Sequence, residues 1–246
     1  MPYSISAARK TTRSDFKEIK SRIRKSQNKK IEPTIREYVI AASIFLAHAS
    51  LENYISDIFS ALANGLQSVP IKGSEIPENL QAHLFLHRID KTKIYGTAIG
   101  THSEAESLTS FAKSLKAHAG TVVDNSKTIF RFTGKDIFTN HKYPSVENIK
   151  KIFYRIGEPK IFTKLDIVLK RDSQSLLESL GSLRSQLAHT GEIPGVSPSD
   201  VINRIEDLQK FISAIDRVMY KLVTTFLPKN MEIKYVLTLL TMDISA

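Results

Sequence analysis

Apolar residues recur every three or four positions after Pro33: Ile35, Val39, Ala42, Leu46, Ala49, Ile55, Ile58, Phe59 and Leu62, up to Asn64-Gly65. That spacing predicts one helix of about 30 residues, opened by proline and stopped by glycine. Ile40, Ile44, Phe45 and Leu51 make it apolar on more than one side, as a central helix must be. Residues 70–77 read as a loop, followed by helices near Glu78–Arg88 and Ser103–Ala119. The β-branched and aromatic runs Thr121–Val123 and Thr128–Phe132 predict a small β-hairpin insertion. Pro144-Ser145 starts a helix with Val146, Ile149, Ile152 and Phe153 on one face and Gly157 behind it. Another helix spans Ser173–His189. Ser197-Pro198-Ser199-Asp200 is a strong start signal for a last long helix reaching about Phe226. The apolar tail Tyr235–Met242 fits either strand or helix. The pattern predicts a mostly α protein in which long helices pair as a bundle. Its parts are a basic N-terminal helix or arm (1–32), a helical domain (33–228) and a tail packed on that domain (229–246).

Composition narrows the chemistry. The 246 residues are 41% hydrophobic, which supports a sizeable core. The absence of cysteine excludes disulfides, thiolate zinc sites, iron–sulfur clusters and a cysteine nucleophile. No run reaches the ~18 apolar residues of a membrane span, and the N-terminus has no signal-peptide core. A cytoplasmic location is the expectation. The net charge is +10, and residues 1–40 hold eleven basic against four acidic side chains. This front end reads as a surface for a polyanion, with Arg22, Arg24, Lys25, Lys29 and Lys30 as candidate nucleic-acid contacts. A helix that is merely solvated and basic accounts for the charge equally well. Phe16, Ile19 and Ile23 lie at helical spacing and would dock it.

The chain contains no phosphate-binding glycine loop, no G-x-S-x-G and no H-E-x-x-H. His83 and His87 are four apart on a predicted helix but lack a third ligand at motif spacing, so no metal or cofactor is expected. More telling is the helix carrying Leu176, Leu177, Leu180, Leu183 and Leu187. At 100° per residue Arg184 lies about 50° from the middle of that stripe, close to the core edge. A guanidinium there needs a partner or a task. His189 is about 140° round from it, so the two do not face each other along one helix. The bare Arg-x4-His spacing arises readily by chance.

The context is more specific. The string Arg184-Ser-Gln-Leu-Ala-His189-Thr-Gly191 resembles the motif of the HEPN superfamily, whose usual form is Arg-Asn-x-x-Ala-His-Gly. Upstream, Ala47-His-Ala-Ser-Leu-Glu52-Asn-Tyr-Ile-Ser-Asp57 resembles the Leu-Glu-x-Tyr-x-x-Asp helix of the RiboL-PSP-HEPN subfamily. Tyr143-Pro-Ser-Val-Glu-Asn-Ile resembles its Pro-Ser-x-x-Asn-Ile segment. The likeness covers about residues 35–225 in the right order, with the basic N-terminal 30 outside it. Ser185 stands where the subfamily usually has asparagine, and Thr190 where glycine is common.

The resemblance implies an all-α bundle and a metal-independent endoribonuclease working as a homodimer. Arg184 and His189 would be the catalytic pair, with Ser185 and Glu52 in support. RNA would be cut through its own 2′-hydroxyl to 2′,3′-cyclic phosphate and 5′-hydroxyl ends. The family also implies a toxin or antiphage effector with an antitoxin or regulatory partner. Two other readings stay open: a catalytically inactive HEPN module for binding or dimerisation, and a helical nucleic-acid-binding protein acting through its basic N-terminus.

Overall fold

The computed structural model describes residues 3–68, 70–88, 103–118, 127–139, 143–191 and 195–226. Nine α-helices and one 3-10 turn form the described part: α1 (Ala7–Ser26), α2 (Pro33–Gln67), the 3-10 turn Gly73–Glu75, α3 (Glu78–Arg88), α4 (Glu104–His118), α5 (Gly134–Phe138), α6 (Val146–Arg155), α7 (Ile161–Leu169), α8 (Ser173–Thr190) and α9 (Pro198–Phe226). This is an all-α bundle. None of the described helices is long and apolar enough to cross a membrane.

Local signals set the ends. Ser6 caps α1 by accepting from the Arg9 amide at 3.1 Å, and Arg24 and Lys25 complement the helix dipole in its last turn. Pro33 opens α2, which runs 35 residues, or about 52 Å at 1.5 Å each. It passes through the expected stop at Gly65, which is buried. Asp172 caps α8 through the amides of Gln174 and Ser175. Gly191, at φ 69°, ends it by donating to Leu187 O at 3.0 Å. Ser197 and Asp200 cap α9 reciprocally: each side-chain oxygen accepts the other's amide, at 3.1 and 3.2 Å.

α2 is the axis, packed by α1, α5, α8 and α9. Its buried face is Ile40, Ile44, Ala47, Leu51, Tyr54, Ile55, Ile58, Phe59 and Leu62. In the first half this differs from the predicted stripe. Ile35, Phe45 and Leu46 are 50%, 41% and 42% exposed, and Ala42 and Ala49 are also outside. The start of α2 is apolar on two sides, and this fold covers one of them. At its other half, α5 approaches so closely that a Cβ on Gly134 would lie 2.6 Å from the Ser60 amide nitrogen.

Two further findings depart from the sequence reading. Thr128 makes a single antiparallel bridge to Lys72 in place of a hairpin strand, supported by Ile129 N–H donating to Ile71 O at 3.0 Å. Thr121–Val123 and the tail 229–246 lie outside the described residues. The short α7 was not foreseen. It has nine residues and takes Lys160, the residue after Pro159, as an N-cap that makes no side-chain hydrogen bond.

α1 is part of the core. Phe16, Ile19 and Ile23 are buried against α2 and α9. At its start, the Asp216 carboxylate of α9 is 1% exposed. It accepts from Tyr3 Oη at 2.6 Å, from the Ser6 amide at 3.3 Å, from Ser6 Oγ, and from Tyr54 Oη at 3.4 Å. Arg9 lies 3.8 Å away and neutralises it. Burial, then the Asp216 contact, pushes the Tyr3 phenol up to about 12. A buried carboxylate is tolerated when its lone pairs are used and its charge is matched. Replacing Asp216 by alanine strips four donors of their acceptor and should cost about 3 kcal/mol. Urea unfolding of Asp216→Ala measures this; an unchanged midpoint would show that the cluster does not hold α1.

Candidate functional site

The site grows from α8. The leucines of that helix face inward, which leaves the half-buried Arg184 at the edge of the core. Its guanidinium lies 5.5 Å from the centre of the Tyr143 ring and 6.0 Å from that of Phe45. Both fall within the range of a cation–π contact. Among the described residues no carboxylate pairs with Arg184. It is therefore held by aromatic faces and keeps its charge unneutralised.

Tyr143 is fixed by the string that follows it. Its carbonyl accepts from Asn148 Nδ2 at 2.8 Å and from the Ser145 amide at 2.9 Å. Ser145 caps α6 by accepting from the Asn148 amide at 3.2 Å, and Pro144 is buried. The Pro-Ser-x-x-Asn segment thus works as a bracket that presents one aromatic ring.

On α2, His48 stacks on Tyr143 with ring centres 4.8 Å apart and planes 24° apart. His48 Nδ1 lies 3.4 Å from Glu52 Oε1, one helical turn on. The His48 side chain is 5% exposed and that of Glu52 28%. Burial holds the His48 imidazole below its ordinary value; the Arg184 charge pushes the same way and Glu52 opposes both. A neutral His48 leaves Arg184 as the positive centre on this side of Tyr143.

The expected site residues are therefore only partly gathered. Glu52 joins Arg184 through His48 and Tyr143. Ser185 is half-buried beside Arg184, and its hydroxyl has no hydrogen-bond partner among the described residues. His189 stands apart in the exposed last turn of α8, without a hydrogen bond, ion pair or ring contact to any described residue. Sequence reasoning missed Tyr143 and Phe45 as arginine-holding rings and His48 as the imidazole stacked on Tyr143. Tyr143 and His48 stand in the quoted strings and Phe45 just ahead of one of them, but distance along the chain hid their meeting. His83 is engaged elsewhere, its Nε2 lying 2.8 Å from Asp136 O. The His87 side chain lies outside the described part. No group of three or more His, Asp or Glu among the described residues is placed to hold a metal.

Three strings far apart in sequence thus converge on Arg184, in the order and on the elements that the resemblance implied. The RiboL-PSP-HEPN family model matches residues 10–221. The chain belongs to the RiboL-PSP-HEPN family. The match begins inside α1, so the family's domain takes in most of the basic helix that the resemblance had left outside. Comparison with curated proteins and with solved structures gives no match. Family membership sets the functional class as nuclease or RNA-related.

The depressed His48 proton affinity has a consequence for stability. With the folded value below the ordinary one of about 6.5, the unfolded chain takes up this proton first as pH falls. His48 then favours unfolding at low pH and is neutral to stability above pH 7. We expect wild type to lose stability relative to His48→Gln between pH 7.5 and 5.5. Urea unfolding at both values decides it, and parallel losses in the two proteins would remove the linkage.

Proposed function

We propose that this HEPN protein is a metal-independent endoribonuclease acting as a homodimer. The observation that carries the reading is Arg184, an arginine within cation–π reach of two rings and with no carboxylate partner among the described residues. Such a guanidinium is a ready receptor for phosphate oxygens, which it binds through parallel N–H donors. The free hydroxyl of Ser185 adds a donor beside it.

Cleavage by transesterification follows. A base takes the proton of the ribose 2′-hydroxyl, and the oxygen attacks phosphorus. The P–O5′ bond breaks as an acid protonates the leaving oxygen. The products are a 2′,3′-cyclic phosphate and a 5′-hydroxyl. Arg184 stabilises charge on the phosphorane. His189, solvent-exposed at the end of α8, supplies the proton steps. One chain brings one such histidine, so a two-fold dimer supplies base and acid from its two copies.

The exposed face of α2 supports that dimer. Ile35, Tyr38, Ala42, Phe45 and Ala49 recur at helical spacing, and Tyr38 is 71% exposed. The stripe includes Phe45, one of the two rings beside Arg184. A groove of about 630 Å³ lies between the start of α2, at Tyr38, and Gly191, the cap of α8. Burying this stripe against its symmetry mate would remove apolar surface from water and set two Arg184–His189 edges together. By family analogy the biological role is that of a toxin or antiphage effector in the cytoplasm, restrained by an antitoxin or regulatory protein.

Purified protein should cleave RNA in EDTA and leave 2′,3′-cyclic phosphate ends. Arg184→Ala and His189→Ala should each lower the rate by about two to three orders of magnitude while melting like wild type. Cleavage that needs added metal, or that survives both substitutions, would sink the reading.

A further inference from the structure

A second charged feature lies away from Arg184. A cleft of about 640 Å³ opens between α1, the junction of α7 and α8, and the middle of α9. Six cations line it: Arg9, Arg13 and Lys20 from α1, Arg171 from the junction, Lys210 and Arg217 from α9. Three carboxylates answer them. Asp216 faces Arg9 at 3.8 Å, and Glu206 faces Lys20 at 3.1 Å. Asp207 takes both Arg171 and Lys210, at 2.9 and 3.0 Å. Arg13 and Arg217 have no acidic partner among the described residues. Arg217 lies 5.5 Å from the Tyr3 ring centre, and both arginines are exposed. The cleft thus keeps three uncompensated positive charges over an apolar floor of Val168, Leu169 and Ile212. A low-dielectric floor under charges of one sign focuses their field outward.

We infer that this cleft is a second nucleic-acid site, holding the phosphodiester backbone of an RNA strand apart from the Arg184 site. Arg9, Arg13 and Lys20 extend along about 16 Å of α1, longer than a single phosphate group. Guanidinium groups suit phosphate oxygens. The choice of RNA rests on the proposed function; the cleft itself does not. Arg22, Arg24, Lys25, Lys29 and Lys30 lie outside it, on exposed positions at and beyond the end of α1.

The test uses full-length Arg184→Ala protein, so that binding is read without cleavage. Anisotropy of a labelled single-stranded oligoribonucleotide is followed across a salt series. Adding Arg13→Gln and Arg217→Gln should weaken binding about tenfold and flatten the slope of log affinity against log salt by about 1.4, from two lost phosphate contacts. Arg22→Gln with Arg24→Gln should leave affinity within about twofold. Thermal melts confirm that the variants fold. Unchanged affinity and slope in the cleft variant, equal losses in the two variants, or no RNA binding at all overturns the inference. So does competition by polyglutamate as strong as by unlabelled RNA, which would assign the cleft to an acidic protein segment. If RNA binds through the cleft but wild type cleaves no RNA, the ribonuclease reading fails and the cleft stands. If instead the Arg13→Gln and Arg217→Gln protein cleaves a dinucleotide at the wild-type rate but long RNA with raised KM, both stand.

Discussion

A single buried carboxylate sets the frame. Asp216 sits where α1, α2 and α9 meet, and its oxygens are taken by Tyr3, Ser6 and Tyr54 with Arg9 as counter-charge. Such a group tolerates few rearrangements, because any one that frees an oxygen exposes a charge to the core. It therefore fixes the rotation of α2 about its axis. Tyr54 must point inward to Asp216, and His48 and Glu52 then emerge about 120° and 160° away. That is the side on which α8 brings Arg184. The tyrosine of the Leu-Glu-x-Tyr string aims the helix, while the glutamate one turn from His48 serves the site.

The aromatic clamp solves a conflict between stability and function. A guanidinium near the core edge is most simply settled by an aspartate or glutamate, but an acid would cancel the charge that phosphate must meet. Ring faces hold the same group through its quadrupole attraction and stacking while leaving it cationic. His48 completes the arrangement because burial keeps it uncharged. It can stack on the face of Tyr143 without a second positive charge repelling Arg184. Glu52, 3.4 Å from His48, limits that burial effect.

Where the sequence was legible, the signal was local. Pro33 and the Ser197–Asp200 pair mark helix ends by chemistry that acts within a few residues, and each does so in the fold. The leucines of α8 read correctly because that helix has one buried side. The first half of α2 misled because it has two apolar sides, and periodicity cannot tell which one the same chain will cover. Arg184 was visible as an arginine in want of a task, but the answer lay at positions 45, 48 and 143, which only tertiary packing brings near. The basic N-terminus was legible as charge and not as a place. Arg9, Arg13 and Lys20 share one face of α1 and line a cleft; Arg24 continues that face past the cleft, while Arg22 and Lys25 turn away from it.

The pairing pattern in that cleft bears on how a basic surface becomes a site. Loose lysines and arginines attract polyanions but lose side-chain freedom when they bind. Here Arg9, Arg171 and Lys20 are already tied by carboxylates, Arg171 through two contacts to Asp207 at 2.9 and 3.2 Å. Arg217 is steadied by the Tyr3 ring. The carboxylates lower the net charge but order the groups that carry it, so less entropy is lost on binding. Tyr3 also donates to Asp216, so the residue that steadies one wall of the cleft belongs to the cluster that aims α2 at Arg184. The polar cluster that holds the bundle together thereby reaches one charged surface directly, through Arg9 and Tyr3, and orients through Tyr54 the helix that carries part of the other.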